Sequence, residues 1–130
     1  MIGIVIVAHG GLAKEYLSAV EHVVGKQNSI RAIAIEADYD RNLKQAEVCE
    51  AVASVDSGQG VVVVTDMFGG SPSNLSRMAC SKGNRKVLYG ANLPMLVKLA
   101  KSRHLDVADA VDKALTAGRK YINCCDGIPG

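Results

Sequence analysis

The opening residues of the chain constrain its fold more than any other stretch. Residues 2–7 form an apolar run that is rich in β-branched residues and has no polar alternation. Such a run is typical of a parallel strand that is covered on both faces. His9, Gly10 and Gly11 follow it, and a helical pattern comes next. We therefore expect a strand that ends at a histidine, beside the start of a helix.

The rest of the chain continues the alternation of strands and helices. Further strands are predicted at Ile30–Ile35, Val61–Thr65, 86–89 and, as a short final element, 121–123. Apolar residues at helical spacing follow each of the first four strands. This alternation predicts right-handed βαβ units in an α/β fold. We expect a doubly wound, mainly parallel sheet of four strands in the order 2-1-3-4, with helices on both faces.

Length and composition fit a single water-soluble domain, which we expect to span residues 1–130. The formal net charge is only +2 and the basic residues are scattered, which argues against a nucleic-acid partner. No apolar run approaches the ~18 residues of a membrane span, and the start of the chain does not resemble a signal peptide. We therefore predict a cytoplasmic protein.

The four cysteines show no C-x-x-C spacing. We interpret them as reduced thiols. The adjacent pair Cys124 and Cys125 could bind a soft metal or act in redox chemistry, but adjacent cysteines near a chain end are more often incidental. We predict no metal and no cofactor.

Two side chains with chemical potential end neighbouring strands of the predicted sheet. In the order 2-1-3-4 the crossovers reverse between strands 1 and 3, and ligands of such sheets bind at the carboxyl ends of the strands beside this point. His9 follows strand 1 and Asp66 follows strand 3. A core histidine and a helix-capping aspartate are the alternatives. The convergence of the two residues favours a catalytic pair.

The pair predicts a nucleophilic histidine. A carboxylate that binds one ring nitrogen fixes the tautomer and leaves the lone pair of the other nitrogen free to attack. Backbone N–H groups at helix starts bind anions such as phosphate. Two glycine-rich helix starts follow the two strands, and we expect them to bind phosphate through Gly10, Gly11, Gly69, Gly70 and Ser71. Phosphohistidine chemistry fits this combination.

At these residues the chain resembles the IIA domains of the mannose family of the bacterial phosphoenolpyruvate-dependent sugar phosphotransferase system. The resemblance spans essentially the whole chain. It is carried by Ala8-His9-Gly10, by the segment from Asp66 to Asn74 and by the segment from Gly90 to Leu96. The middle segment is the most specific, because aspartate, two glycines, Ser-Pro and asparagine occur together at fixed spacing.

The resemblance implies a function and partners. In that family the histidine that matches His9 accepts a phosphoryl group from the phosphocarrier HPr and passes it to a IIB component, while the aspartate that matches Asp66 bonds to its ring. The family is usually dimeric and exchanges an antiparallel edge strand between subunits, for which residues 121–123 are the counterpart. The resemblance also implies an indirect link between this chain and a membrane permease, through these partner proteins.

Two other functions use the same residues. The chain could be a regulator whose partner choice changes when His9 is phosphorylated. It could also be a hydrolase with Ser71 as nucleophile, His9 as base and Asp66 as orienting group. The hydrolase is disfavoured because the sequence lacks the G-x-S-x-G turn that exposes a nucleophilic serine.

Apolar residues on two predicted turns are candidates for a partner surface. They follow strands 3 and 4, and the residues are Met67, Phe68, Met95 and Leu96. Phe68 stands where the family often has tryptophan. Exposed apolar patches mark protein contacts, and methionine adapts to more than one partner. That all four residues only anchor their helices is an equal alternative.

Overall fold

The computed structural model describes residues 1–67 and 69–130. These residues form alternating strands and helices in chain order: β1 (Gly3–His9), α1 (Leu12–Val24), β2 (Ile30–Ile35), α2 (Arg41–Val55), β3 (Val61–Thr65), α3 (Ser71–Ala79), β4 (Arg85–Tyr89), α4 (Leu93–Lys101) and α5 (Val107–Lys120).

The four strands form one parallel sheet in the order β2-β1-β3-β4, which confirms the predicted topology. The side chains of β3 are fully buried, as expected for a strand that is covered on both faces. In the register of the sheet Val7 of β1 lies beside Thr65 of β3. The ends of β1 and β3 therefore meet at the same edge of the sheet.

Two apolar cores cover the two faces of the sheet, because successive side chains of a strand point to opposite faces. On one face Ile4 and Ile6 of β1 pack with residues of α1, α4 and α5. On the other face Val5 and Val7 pack with residues of α2 and α3. His9 continues the alternation of Val5 and Val7, so its side chain lies on the α2 and α3 face.

The predicted strand at residues 121–123 is absent from the structure. Residues 121–130 are all exposed, and none of them pairs with a strand of the described chain. Ile122 is 74% exposed. The single chain therefore does not show the predicted strand, because a strand forms only where its backbone pairs with a neighbouring strand.

A buried arginine joins the segments at the amino end of the sheet, and the sequence analysis did not identify it. Arg103 donates hydrogen bonds through Nε to the Ile2 carbonyl (2.8 Å), through one Nη to the Ser29 carbonyl (3.1 Å) and through the other to Gln27 Oε1 (3.3 Å). Burial lowers the pKa of its guanidinium. The three acceptors offset the cost of burying this charge.

None of the helices formed by residues 1–67 and 69–130 is long and apolar enough to cross a membrane.

Candidate active site

His9 and Asp66 are in direct contact at the carboxyl edge of the sheet. The ring Nδ1 of His9 lies 2.9 Å from Asp66 Oδ2, and the backbone N–H of His9 donates to the same oxygen at 3.0 Å. The other carboxylate oxygen, Oδ1, accepts from the backbone N–H of Met67 at 3.0 Å. The carboxylate is thus fixed by three donors and in turn orients the imidazole.

The environment of Asp66 keeps its carboxyl group ionised. Partial burial alone would raise the pKa of this carboxyl, but the hydrogen bonds from the backbone N–H and ring of His9 outweigh it and lower the pKa below its usual range. Because its pKa is lowered, the Asp66 carboxyl group is fully ionised at neutral pH, and its contact with the His9 ring is then complete. It is lost only in acid, as the pH falls through the lowered pKa.

The contact determines which ring nitrogen is available for chemistry. Because a carboxylate only accepts hydrogen bonds, Nδ1 of His9 must carry the proton, and the lone pair of the neutral ring is then on Nε2. The His9 side chain is 48% exposed, whereas that of Asp66 is 11% exposed. Nε2 therefore lies on an accessible ring, while the carboxylate that contacts Nδ1 is shielded.

Gly70 makes room beside Nε2. It precedes α3 as its N-cap, and a Cβ atom built on it would lie 3.4 Å from Cε1 and 3.8 Å from Nε2 of His9. The preceding Gly69 has φ +89°, a conformation that favours glycine. Together they bring the amino end of α3, with its unpaired N–H groups, next to the reactive nitrogen.

The other predicted phosphate-binding residues have more open surroundings. Gly10 and Gly11 lead from His9 into α1, and nothing lies within 4 Å of a Cβ built on either of them. Ser71 is the first residue of α3, and the N-cap of this helix is Gly70. The structure thus brings His9, Asp66 and Gly70 together, while Gly10, Gly11 and Gly69 are exposed and Ser71 is half-buried.

The predicted docking residues fall into two groups. Met67 is 55% exposed beside the site, but Met95 and Leu96 are only 4% and 3% exposed. The prediction is wrong for these two, because the face of α4 that carries them packs into the core with α1 and α5. Phe68 lies outside the described residues.

Two exposed leucines near the site were missed by the sequence analysis. Leu12 is the first residue of α1 and Leu93 is the first residue of α4, so both lie at the carboxyl edge of the sheet. A large apolar residue at the first position of a helix, before the buried face of that helix begins, is the signal that could have identified them.

The described residues contain no group of three or more side chains suited to hold a metal ion. The four cysteines are free thiols. Burial raises the pKa of the Cys80 thiol to about 11, so this group is protonated at neutral pH and is a poor nucleophile.

Comparison with known proteins identifies the family. Residues 3–115 match the family model EIIA-man, which is described as the fructose IIA component of the PTS system, the sugar phosphotransferase system. The chain belongs to this family. The resemblance read from His9, from the segment that follows Asp66 and from the segment that follows Gly90 is thereby confirmed.

Individual relatives of the EIIA-man family support the assignment. The chain is 30% identical to the PTS system mannose-specific EIIAB component of Escherichia coli, over 98% of this chain and 41% of that protein. This chain thus spans less than half the length of that relative. It is 28% identical to the PTS system sorbose-specific EIIA component of Lacticaseibacillus casei, over 75% of this chain and 70% of that protein.

A solved structure of the phosphotransferase system component EIIA from Streptococcus agalactiae superposes with a TM-score of 0.86 at 32% identity. The match covers 95% of this chain and 97% of that one.

Replacing Gly70 by Ala tests whether the space beside Nε2 controls access to it. The backbone of Gly70, at φ −92°, accepts alanine, and the added methyl group would contact the His9 ring. We expect diethylpyrocarbonate, which acylates imidazole nitrogens, to modify His9 more slowly, because a methyl group in van der Waals contact with Cε1 of the ring covers part of the approach to Nε2. Peptide mass mapping over time would measure this rate.

Gly11→Ala is the matched control, because Gly11 has φ −87° and open space around it. The exposed His22 and His104 provide an internal reference for reagent concentration. Equal rates at His9 in both variants would show that Gly70 does not limit access to Nε2.

Proposed function

We propose that this chain is a phosphoryl carrier of a sugar phosphotransferase system. It accepts a phosphoryl group from phosphorylated HPr on Nε2 of His9 and passes it to a IIB component. One observation carries the proposal: the 2.9 Å contact from His9 Nδ1 to Asp66 leaves Nε2 as the nucleophile of an exposed ring. Membership of the EIIA-man family supports the choice of donor and acceptor.

The transfer is a displacement at phosphorus. The Nε2 lone pair of His9 forms the new N–P bond while the N–P bond of the donor phosphohistidine breaks, and the electron pair of that bond returns to the donor ring. Nδ1 keeps its proton throughout. The positive charge that develops on the His9 ring is offset by Asp66, which is already ionised and needs no reorganisation. Transfer to the IIB component reverses these steps with a new acceptor.

The amino end of α3 supplies groups that bind the phosphoryl oxygens. Its first-turn N–H groups lack partners within the helix and carry partial positive charge. Gly70 places them beside Nε2. Ser71, whose side chain carries a hydroxyl group, is the first residue of the same helix. The backbone N–H of Gly11 approaches from the start of α1, whereas the N–H of Gly10 already donates to the Ile35 carbonyl at 3.0 Å. These groups stabilise the charge that spreads over the transferred phosphoryl group.

The rim of the site offers an apolar docking surface for both partners. Met67, Leu12 and Leu93 are exposed where β3 and the first turns of α1 and α4 meet this edge. Phe68, next to Met67 in sequence, belongs to the same proposed surface. Apolar contact area of this kind fits a protein that meets a donor and an acceptor in turn.

We also propose that residues 1–130 form one IIA domain, that it acts in the cytoplasm, and that two copies form a homodimer. The tail carries exposed apolar residues, with Ile122 at 74% and Ile128 at 96% exposure. A cavity of about 340 Å³, lined in part by Val87, Leu88 and Ile122, lies along the edge strand β4. Exchange of the tail onto β4 of a second copy would cover these surfaces.

The hydrolase alternative requires Ser71 to donate a hydrogen bond to His9. The described residues show no such bond, while His9 is bonded to Asp66. A regulatory role would use the same phosphohistidine, so it differs in the acceptor and not in the chemistry of His9.

Phosphorylation of His9 is the direct test of the proposed function. Incubation with phosphoenolpyruvate, enzyme I and HPr should add one phosphoryl group to the wild-type chain, in an acid-labile and base-stable form. His9→Gln should add none, because its side chain has no nucleophilic nitrogen. Intact-protein mass spectrometry would count the groups.

His22→Gln and His104→Gln are matched controls, since both histidines are exposed and lie outside the site. Ser71→Ala separates phosphotransfer from hydrolysis, because the hydrolase alternative would lose its nucleophile. In phosphotransfer, loss of one hydrogen bond to a charged group should cost roughly 1 to 3 kcal/mol and only slow the labelling of His9. Full labelling of His9→Gln would overturn the assignment.

Replacement of Asp66 by Asn tests the orienting carboxylate. The amide keeps the size but removes the negative charge, and it can turn a donor toward Nδ1. We expect phosphoryl acceptance to slow by about 10- to 100-fold, the kinetic equivalent of roughly 1.5 to 3 kcal/mol for a hydrogen bond to a charged group. Rapid-quench labelling with phosphorylated HPr would measure the rate.

Asp38→Asn removes the same charge from an exposed loop position and should leave the rate unchanged. If the two variants transfer at equal rates, the Asp66 charge has no part in the reaction.

A further inference from the structure

A second surface of the molecule combines positive charge with an apolar floor. A groove of about 480 Å³ runs between α4 and α5. These helices cover the face of the sheet that is opposite to the His9 side chain. The groove is therefore separate from the site proposed for phosphoryl transfer.

The rim of the groove is strongly basic. Its lining contains four lysines and one aspartate, namely Lys98, Lys101, Lys113, Lys120 and Asp112. All four lysines are exposed, and within residues 1–67 and 69–130 none of them forms an ion pair. The excess of positive charge is local, because the whole chain has a net charge of only +2.

Helix dipoles account for part of this arrangement. Lys98, Lys101 and Lys120 lie in the last turns of α4 and α5, where cations are stabilised. Lys113 lies in the middle of α5 and gains nothing from the dipole. Lysines gathered on one groove without carboxylate partners repel one another, and an anionic occupant would relieve that repulsion.

The floor of the groove is apolar and ends at an exposed aromatic ring. Pro94, Val97 and Ala117 line the floor. Tyr121 lies at one end with 65% exposure, and the Lys120 ammonium is 5.3 Å from the centre of its ring. A protein interface combines an apolar centre, in which tyrosine is enriched, with a polar rim.

We propose that this groove binds an acidic amphipathic helix of a partner protein. The nine residues of α4 span about 13 Å, which matches a little over two turns of a bound helix. Apolar side chains on one face of that helix contact Val97 and Ala117, and flanking glutamates or aspartates pair with the lysines. Binding leaves His9 accessible, so the partner and the phosphoryl donor can be bound together.

The probe is a synthetic peptide of leucine and glutamate that is three helical turns long and has its leucines at helical spacing. The control is the same peptide with glutamine in place of each glutamate. We expect the acidic peptide to shift the backbone NMR signals of Val97, Thr116 and Lys120, and the glutamine peptide to leave them unchanged. Lys98→Glu/Lys113→Glu should weaken binding of the acidic peptide at least tenfold. Lys26→Glu/Lys82→Glu changes the net charge equally outside the groove and should bind like wild type.

Several results would overturn the proposal: no binding of the acidic peptide, equal binding of the glutamine peptide, or signal shifts outside the groove. Sedimentation with phosphatidylglycerol vesicles tests whether the groove binds a lipid surface instead. If the lysines bind these vesicles and not the peptide, the groove recognises a lipid surface and the proposal of a protein partner is wrong. His9 labelling should be equal in both double variants, so the test does not depend on the proposed phosphotransfer.

Discussion

The hydrogen bond between His9 Nδ1 and Asp66 is the interaction on which the account of this protein depends. The two residues are 57 positions apart in sequence and meet only because β1 and β3 are neighbours in the sheet. The parallel register brings both strand ends to one edge, and the backbone N–H groups of His9 and Met67 fix the carboxylate there. The fold thus determines which imidazole nitrogen is free.

Chemistry at Nε2 also requires space beside the His9 ring, and Gly70 provides that space. A nucleophilic nitrogen acts only if the transferred group can reach it, and any side chain at Gly70 would contact the His9 ring. The same residue begins α3, whose amino end carries partial positive charge. In the proposed function, this one glycine would serve both access to Nε2 and the stabilisation of a phosphoryl group. The lysines between α4 and α5 lie on the other face of the sheet, where they can contact a partner without covering the ring.

Sequence patterns predicted the features that depend on local chemistry and on chain topology. The apolar runs of β1 and β3 and the alternation of strands with helices predicted a mainly parallel α/β sheet, and the expected order 2-1-3-4 is confirmed. Given that order, His9 and Asp66 were expected to meet, as they do. Burial on α4 was not predictable, because the angle at which the helix packs decides that Met95 and Leu96 are buried while Leu93 remains exposed. The buried Arg103 and the unpaired residues 121–123 depend on tertiary contacts that no local pattern encodes.

The most direct measurement of the central claim is the position of the phosphoryl group on the His9 ring. Nitrogen-15 NMR of the phosphorylated chain, with labelled histidine, distinguishes the two ring nitrogens through their coupling to phosphorus. If Asp66 holds the Nδ1 proton, the phosphoryl group will be on Nε2, and Nδ1 will remain protonated. A phosphoryl group on Nδ1 would contradict the account, because that nitrogen would then have no proton with which to bind Asp66.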